Sequence, residues 1–232
     1  MNAFAWALAA FVLLHVGVSA TGLRALIVTR TGERVYRVLF SLASIVLLGW
    51  LIYAYHDMRL DPFDPLNAPF WYPSAALRYA TYVLVCLGLT LAVAGLLTPG
   101  PTLVGAEGLI NKPEPARGVL RITRHPFLWG VALWAAGHLL ANSDRANVML
   151  FGAFGLMALF GARSIDRKGE ARDPEAWARF AAVTSNTPFA AIVQGRNKVV
   201  LSEMWWRLLA GVAVFALIGY FHRQIFGVAA FS

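Results

Sequence analysis

The sequence predicts a polytopic bundle of transmembrane α-helices, and three observations support that fold class. Of the 232 residues, 59% are hydrophobic and only 14% are charged. The mean hydropathy is +0.61. The apolar residues also occur in runs long enough to cross a hydrocarbon core of about 30 Å. A soluble domain rarely has this composition, so residues 1–232 are predicted to form a single all-α membrane domain.

Apolar run length predicts six transmembrane helices, over residues 3–22, 36–55, 77–98, 126–142, 147–163 and 204–222. No Lys or Arg precedes the first run, whereas a cleavable signal peptide carries positive charge there. Residues 3–22 are therefore interpreted as a retained helix. Residues 143–146 join the fourth and fifth runs in a tight hairpin, in which Asp144 is expected to cap the fifth helix.

Two connecting segments have a predictable structure. Residues 57–74 contain four prolines and several aromatic residues, which predicts an extended loop in the aromatic belt of the outer membrane face. Residues 173–175 (Asp-Pro-Glu) combine an N-cap residue, a first-turn proline and an early acid. Apolar residues follow at three-residue spacing (Trp177, Phe180 and Val183), so a short interfacial helix is expected on the cytoplasmic surface.

The distribution of basic residues predicts the orientation in the membrane. Four of the 20 Lys and Arg residues lie on one side of the predicted spans, namely Arg59, Arg78, Arg145 and Arg223. The other 16 lie in the links 23–37, 99–125 and 163–207 on the opposite side. The positive-inside rule then places both termini on the periplasmic side of a bacterial inner membrane. The net charge of +8 is accounted for by contact with anionic lipid, and no nucleic-acid partner is expected.

Several kinds of site are excluded by motif. Cys86 is the only cysteine, so neither an intramolecular disulfide nor a CxxCH site for covalent c-type haem exists. The sequence also lacks a glycine-rich phosphate loop, an HExxH zinc motif and a nucleophile elbow. Any chemistry must therefore come from isolated polar residues within the apolar helices.

Depth separates two of the five histidines from the rest. His56, His125 and His222 fall at the ends of predicted spans, where water can satisfy an imidazole. His15 and His138 each lie about twelve residues inside a span, or roughly 18 Å from the face at which it enters. In a core of about 30 Å, both imidazoles should lie near the midplane. An ionisable residue at that depth is a candidate functional residue.

Two interpretations of the midplane pair are open. Two imidazoles on different helices suit axial ligation of a b-type haem in a bundle core, with Gly17 and Gly137 leaving room for the macrocycle. Alternatively, each histidine bonds a Ser, a Thr or a carbonyl on a neighbouring helix and is purely structural. In the haem interpretation Ser19, four residues after His15, is the candidate to orient the free ring nitrogen. The propionates would pair with cations at the inner face, for which the candidates are Arg34, Arg37, Arg121 and Arg124.

The segment before the fourth span offers a second candidate site. Arg124, His125 and Pro126 directly precede or begin the predicted helix, and a helix N-terminus with basic side chains can hold a phosphate or a carboxylate. An ordinary interfacial helix start explains the same residues equally well.

Three stretches together resemble the NnrU family of bacterial membrane proteins. They are HVGVSATGLR at 15–24, RTGERVYRVLFSLAS at 30–44 and RHPFLWGVALWAAGHLLANSD at 124–144. Their order and spacing also match, and the likeness is strongest over residues 5–170. The family is associated with nitrite and nitric oxide metabolism in denitrification. It is also similar to the plastid 15-cis-zeta-carotene isomerase, a haem-b membrane enzyme with histidine ligation.

The resemblance implies a haem-b protein whose iron ligands fall on His15 and His138. It also implies a haem-dependent isomerase, with an apolar small molecule or a small gas as the substrate. Residues 124–130 (RHPFLWG) are similar to a segment of isoprenylcysteine-type membrane methyltransferases, although Leu128 replaces the tyrosine of that segment. S-adenosylmethionine-dependent methyl transfer is the runner-up activity. A non-enzymatic assembly or regulatory factor for a membrane reductase is the third possibility.

Overall fold

The computed structural model describes residues 2–19 and 21–230. Short 3₁₀ turns lie in the connections between the helices. In chain order the helices are α1 (Ala3–Val12), which continues as a π-helical turn (Leu13–Val18), α2 (Gly22–Thr31), α3 (Glu33–Leu60), α4 (Ala75–Leu96), α5 (Pro126–Ala141), α6 (Arg145–Arg172), α7 (Pro174–Val183), the single turn α8 (Ala190–Val193) and α9 (Trp205–Phe226).

The structure confirms a helical membrane bundle and corrects the number of full spans. Among the described residues, α3, α4, α6 and α9 are long and apolar enough to cross a membrane. The segment Ala3–Val18 meets α2 at 76°, so these two helices form at most one bent span. Helix α5 has 16 residues, or about 24 Å, which is shorter than a hydrocarbon core of about 30 Å. The six predicted spans are therefore four long helices, one bent pair and one short apolar helix.

The first predicted span, 3–22, ends early because a new helix begins within it. The hydroxyl of Thr21 accepts a hydrogen bond from the backbone N–H of Leu23 at 3.3 Å and so caps α2 at its N-terminus. The first helix is apolar up to Val18, and Ala20 lies outside the described residues. Helix α2 runs at 76° to the segment Ala3–Val18.

The capping predictions for the later helices are confirmed. The carboxylate of Asp144 accepts from the N–H of Asn147 at 3.0 Å and begins α6. The carboxylate of Asp173 accepts from the N–H of Ala176, also at 3.0 Å, and begins α7. Both contacts satisfy N–H groups that have no partner within the helix, so these starts could be identified from the sequence.

Helix α7 exists as predicted, but its apolar face does not lie against lipid. Trp177 is 6% exposed and Phe180 is fully buried, because both pack with Ala116 and Ile110 of the link between α4 and α5. Only Val183, at 39% exposed, faces outward. The predicted interfacial helix is thus a packed helix, covered by a link whose path the sequence pattern does not show.

The bundle is a series of neighbouring helices. Helix α1 packs on α3 and touches α6, α6 packs on α5, α5 on α4, and α4 on α9. Glycines make the α4–α5 crossing very close. A Cβ added to Gly88 would lie 2.6 Å from the backbone N of Trp134. Small residues at a membrane helix crossing allow this backbone approach, and the crossing fixes the position of α5, which carries His138.

Candidate functional site

His15 lies in the π-helical turn that extends α1. Its Nδ1 is 2.8 Å from the carbonyl oxygen of Phe11, and its ring lies 4.2 Å from the Phe11 ring and 5.3 Å from the Phe40 ring, centroid to centroid. Nδ1 must carry the proton in order to donate to a carbonyl. The lone pair therefore resides on Nε2, which is the form of histidine that binds metals.

His138 has the same arrangement on α5. Its Nδ1 is 2.9 Å from the carbonyl oxygen of Trp134, again four residues earlier in the chain. Its ring stacks on Phe151 of α6 at a centroid distance of 4.6 Å and lies 4.8 Å from the ring of Trp134. Both histidines therefore donate Nδ1–H to a carbonyl of their own helix, and both leave Nε2 available.

The sequence-based role for Ser19 is corrected by these contacts. The partner of the His15 Nδ1 is the Phe11 carbonyl, so the hydroxyl of Ser19 does not orient that ring nitrogen. Instead, the backbone carbonyl of Ser19 accepts a hydrogen bond from Nζ of Lys168 on α6. A histidine on a helix can reach the carbonyl one turn earlier, and this local bond competes with a side-chain partner.

An aromatic cluster from three helices connects the two histidines. The ring of Phe154 on α6 lies 5.4 Å from that of Phe11 on α1 and 6.3 Å from that of Trp134 on α5. Since Phe11 contacts His15 and Trp134 contacts His138, the histidines approach the same part of α6 from two neighbouring helices. Three rings, those of Phe11, Phe154 and Trp134, thus lie in sequence between the two imidazoles.

Among the described residues, the site contributes two imidazoles and no carboxylate or thiolate as possible metal ligands. In the described part of the chain, no group of three or more His, Cys, Asp or Glu residues could hold a metal ion. Two imidazoles are what an iron already bound by a porphyrin requires. Within the same described ranges, Thr90 Oγ1 is the only buried side-chain N or O atom without a hydrogen-bond partner. The two Nε2 atoms make no hydrogen bond, so each must still border free space.

An open apolar groove lies along α1 beside Trp50 of α3. It has a volume of about 620 Å³ and is lined by Ala3, Trp6, Ala9, Ala10, Leu13 and Trp50. Alanines form its floor, and the two tryptophans, which are 54% and 41% exposed, flank it. One end is at Leu13, two residues before His15.

A carboxylate occupies the second candidate site. Asp166 accepts hydrogen bonds from Nε and Nη2 of Arg124 at 2.9 and 2.7 Å, and its Oδ1 lies 2.6 Å from Nε2 of His125. Nδ2 of Asn186 adds a fourth contact at 3.0 Å, and Trp129 Nε1 donates to Asn186. The anion at the start of α5 is therefore part of the protein, and we refer to these five residues as the Asp166 network.

The sequence analysis missed Asp166 because it placed residues 163–207 in a link. Helix α6 instead continues to Arg172. Ala158 and Ala162 are buried at 4% and 1% exposed, and Asp166 follows at the same four-residue spacing. That spacing continues the buried face of the helix beyond the apolar run, and it is the signal that could have identified Asp166.

Arg121 and Glu203 tie the start of α9 to the link before α5. Nε and Nη2 of Arg121 donate to the two carboxylate oxygens of Glu203 at 2.9 and 2.8 Å, and the N–H of Gly118 donates at 2.7 Å. The hydrogen bonds from Arg121 lower the pKa of Glu203, and they outweigh the opposing effect of burial. Arg121, like Arg124, is thus held by a carboxylate of the protein.

This pair predicts an acid-dependent loss of stability. A carboxyl whose pKa is lowered on folding stabilises the protein above its unfolded pKa and loses that contribution as the pH falls through the folded value. The difference in unfolding midpoint between the wild type and Glu203→Gln should therefore be full at pH 7 and shrink below the ordinary value of 4.5. Thermal unfolding in detergent from pH 7 to 3 measures it. A difference that stays constant with pH would contradict the assignment.

A basic pocket, formed by Arg24, Glu33, Arg37, Glu107 and Arg172, lies where α2, α3 and the end of α6 meet. Its volume is about 430 Å³. Among the cations predicted to serve propionates, Arg37 is the one in this pocket, and Arg24 and Arg172 were not selected from the sequence. Their proximity depends on the bend before α2 and on the length of α6.

Comparison with known proteins gives one family and two relatives. The family model described as NnrU protein matches residues 3–230. The chain is 29% identical over 181 residues to the chloroplastic 15-cis-zeta-carotene isomerase of Zea mays. This match covers 72% of this chain and 44% of that protein. It is 29% identical over 204 residues to the same isomerase of Arabidopsis thaliana, and this match covers 85% of this chain and 51% of that protein. The chain thus spans about half the length of these curated relatives. No solved structure matches it.

Proposed function

The chain belongs to the NnrU family, and from this premise we propose that it is a membrane haem-b protein, ligated by His15 and His138, that isomerises an apolar substrate. The observation that carries the proposal is the matched anchoring of the two imidazoles. Each donates Nδ1–H to the carbonyl four residues earlier and leaves Nε2 free beside the same aromatic cluster. A haem iron would accept the lone pair that each Nε2 keeps.

The residues around the site have definable roles in such a protein. The carbonyls of Phe11 and Trp134 fix the tautomer and the ring orientation of the two histidines, and they raise the basicity of Nε2. The rings of Phe151 and Phe154 exclude water and provide flat apolar surfaces for a macrocycle. Arg37, a propionate candidate at the inner face, is already paired with Glu33 and Glu107. His15 and His138 would hold haem b, which would supply a redox-active iron when bound.

The apolar groove supports an apolar organic substrate. Its lining of alanine and tryptophan carries no charge, and it opens where a lipid-soluble molecule would arrive. Both named relatives are 15-cis-zeta-carotene isomerases, so cis–trans isomerisation of a polyene-like molecule is the activity we propose. The link to nitrite and nitric oxide metabolism rests on the family resemblance alone, and the lining of the groove adds no support for it.

The runner-up activity has less support in this structure. The segment resembling membrane methyltransferases contributes Arg124 and His125 to the Asp166 network. Asp166 accepts from Nε and Nη2 of Arg124 and lies against Nε2 of His125, so a carboxylate of the protein already occupies the place where this segment could hold an anion. We also propose that both termini are periplasmic in a bacterial inner membrane, which the basic-residue distribution supports.

Haem content in four purified proteins tests the proposal. Wild type and His56→Ala, an exposed histidine used as the matched control, should each contain one haem with a low-spin ferrous spectrum. His15→Ala and His138→Ala should lose haem or change the spectrum, because each removes one axial ligand. Added imidazole should partly restore the wild-type spectrum, since it replaces the ligand without refolding the protein.

Two results would contradict the haem assignment. A wild type that contains no haem when expressed with ample haem would end it and would favour the non-enzymatic assembly or regulatory role. Spectra that change as much in His56→Ala as in the two ligand variants would show that the loss is not specific to the axial positions.

A further inference from the structure

We propose that the basic pocket binds the phosphate group of an anionic membrane lipid. Two arginines of the pocket share its two carboxylates. Nη2 of Arg24 lies 2.7 and 2.8 Å from the oxygens of Glu33. Arg37 donates to Glu33 at 2.8 Å and to Glu107 at 3.1 Å. Both carboxylates are therefore already held by cations, which leaves the charge of Arg172 without a counter-ion.

Arg172 is the cation that remains available. Within residues 2–19 and 21–230 its guanidinium has no hydrogen-bond or ion-pair partner, although it lines the pocket. Lys168, one turn earlier on the same face of α6, donates to the Ser19 carbonyl and has no carboxylate partner among the described residues. With these two, four cations face two carboxylates. Such an excess of positive charge favours an anion with several acceptor oxygens.

The charge of Arg172 also acts on Glu107, although these two side chains form no ion pair. Burial raises the pKa of Glu107, but the N–H groups of Glu107 and Gly105 and the charges of Arg37 and Arg172 outweigh burial and lower it. The guanidinium of Arg172 is thus close enough to affect a carboxyl across the cavity. A phosphate oxygen in the cavity would lie in the same field.

The position of α2 identifies the source of the phosphate as a lipid. This helix meets the preceding segment at 76°, so it lies along the membrane surface if α1 crosses the membrane. Leu23 and Leu26, beside Arg24, are 45% and 51% exposed, and α2 has basic residues but no acid. An interfacial helix with apolar and basic faces binds the acyl region and headgroup of an anionic lipid together.

The pocket is close to the helix that carries His15. The Arg24 guanidinium lies 5.4 Å from the Tyr36 ring centroid, and Tyr36 and Phe40 rings are 5.7 Å apart. The Phe40 ring in turn contacts His15. A haem propionate is consequently the competing occupant. The lipid proposal does not rest on haem binding, and the two can fail separately.

Lipid binding to purified full-length protein tests the proposal. Native mass spectrometry would follow titration with short-chain phosphatidylglycerol, with phosphatidylcholine and inorganic phosphate as comparison probes. Wild type should retain one phosphatidylglycerol in preference to phosphatidylcholine. Arg172→Gln should weaken that binding about fivefold, as expected for one cation near an anionic headgroup. Arg167→Gln, an exposed arginine on the same helix outside the pocket, is the matched control and should bind as wild type does.

Three results would overturn the proposal. Equal binding by Arg172→Gln and wild type would show that the pocket is not the site. Competition by inorganic phosphate at the same concentrations as the lipid would show that the acyl chains add nothing, and hence that the ligand is not a lipid. Loss of haem from Arg172→Gln with unchanged lipid binding would assign the pocket to a propionate.

Discussion

Replacing Asp166 with alanine is expected to destabilise the protein by about 3–5 kcal/mol, the usual cost of removing one partner from a buried charge pair. Its carboxylate makes four contacts: two with Arg124, one with His125 and one with Asn186. The Arg124 side chain is 14% exposed and that of His125 is 1% exposed. Arginine cannot lose its charge, so the variant leaves an uncompensated cation where water has little access.

The matched control is an ion pair on the surface. Glu114 and Arg117 are 3.1 Å apart, and their side chains are 64% and 68% exposed, so Glu114→Ala should cost less than about 1 kcal/mol. Unfolding by denaturing detergent, followed by circular dichroism, gives both values. Adding Arg124→Met to Asp166→Ala should recover part of the loss, because the stranded charge is then gone. Equal losses in the Asp166 and Glu114 variants would show that the network does not stabilise the fold.

The Asp166 network shows where sequence-based prediction reaches its limit. Hydropathy located α6 as far as residue 163, because up to there the residues are apolar. The helix continues for nine more residues that include Asp166, Arg167, Lys168 and Glu170. They remain helical because tertiary contacts hold them. A Cβ on Gly169 would lie 2.3 Å from the Trp177 ring. Run length cannot predict a polar helix that is stabilised by the packing of α7.

Local signals, in contrast, predicted local structure well. Asp144 and Asp173 were identified as caps because capping needs only an acceptor at the right place in the chain. The midplane histidines were selected because depth follows from counting residues along a helix. The predicted contact between Ser19 and the ring of His15 was wrong, because the Phe11 carbonyl also lies one helical turn from His15 and accepts the hydrogen bond instead. Which cation pairs with which carboxylate depends on the tertiary fold, and the sequence predicted no such pairing.

Replacing Gly130 with alanine is expected to destabilise the α4–α5 crossing by about 1–3 kcal/mol or more, although alanine is the better helix former. The added Cβ would lie 2.5 Å from the backbone N of Ala92 and 2.6 Å from the carbonyl oxygen of Gly88. Backbone atoms cannot rotate away as a side chain can. The two helices must therefore separate, with loss of contact along the whole crossing.

Gly152 on α6 supplies a control of opposite sign. A Cβ there meets nothing within 4 Å, so Gly152→Ala should stabilise by about 0.5–1 kcal/mol through helix propensity alone. The same unfolding assay compares the two variants. Separation of α4 and α5 should also shift His138, eight residues after Gly130. If His138 holds haem as proposed, the haem spectrum should change in Gly130→Ala and stay unchanged in Gly152→Ala. Equal stability in the two alanine variants would mean that the backbones of α4 and α5 do not touch where the helices cross. The placement of His138 against α6 would then need another explanation.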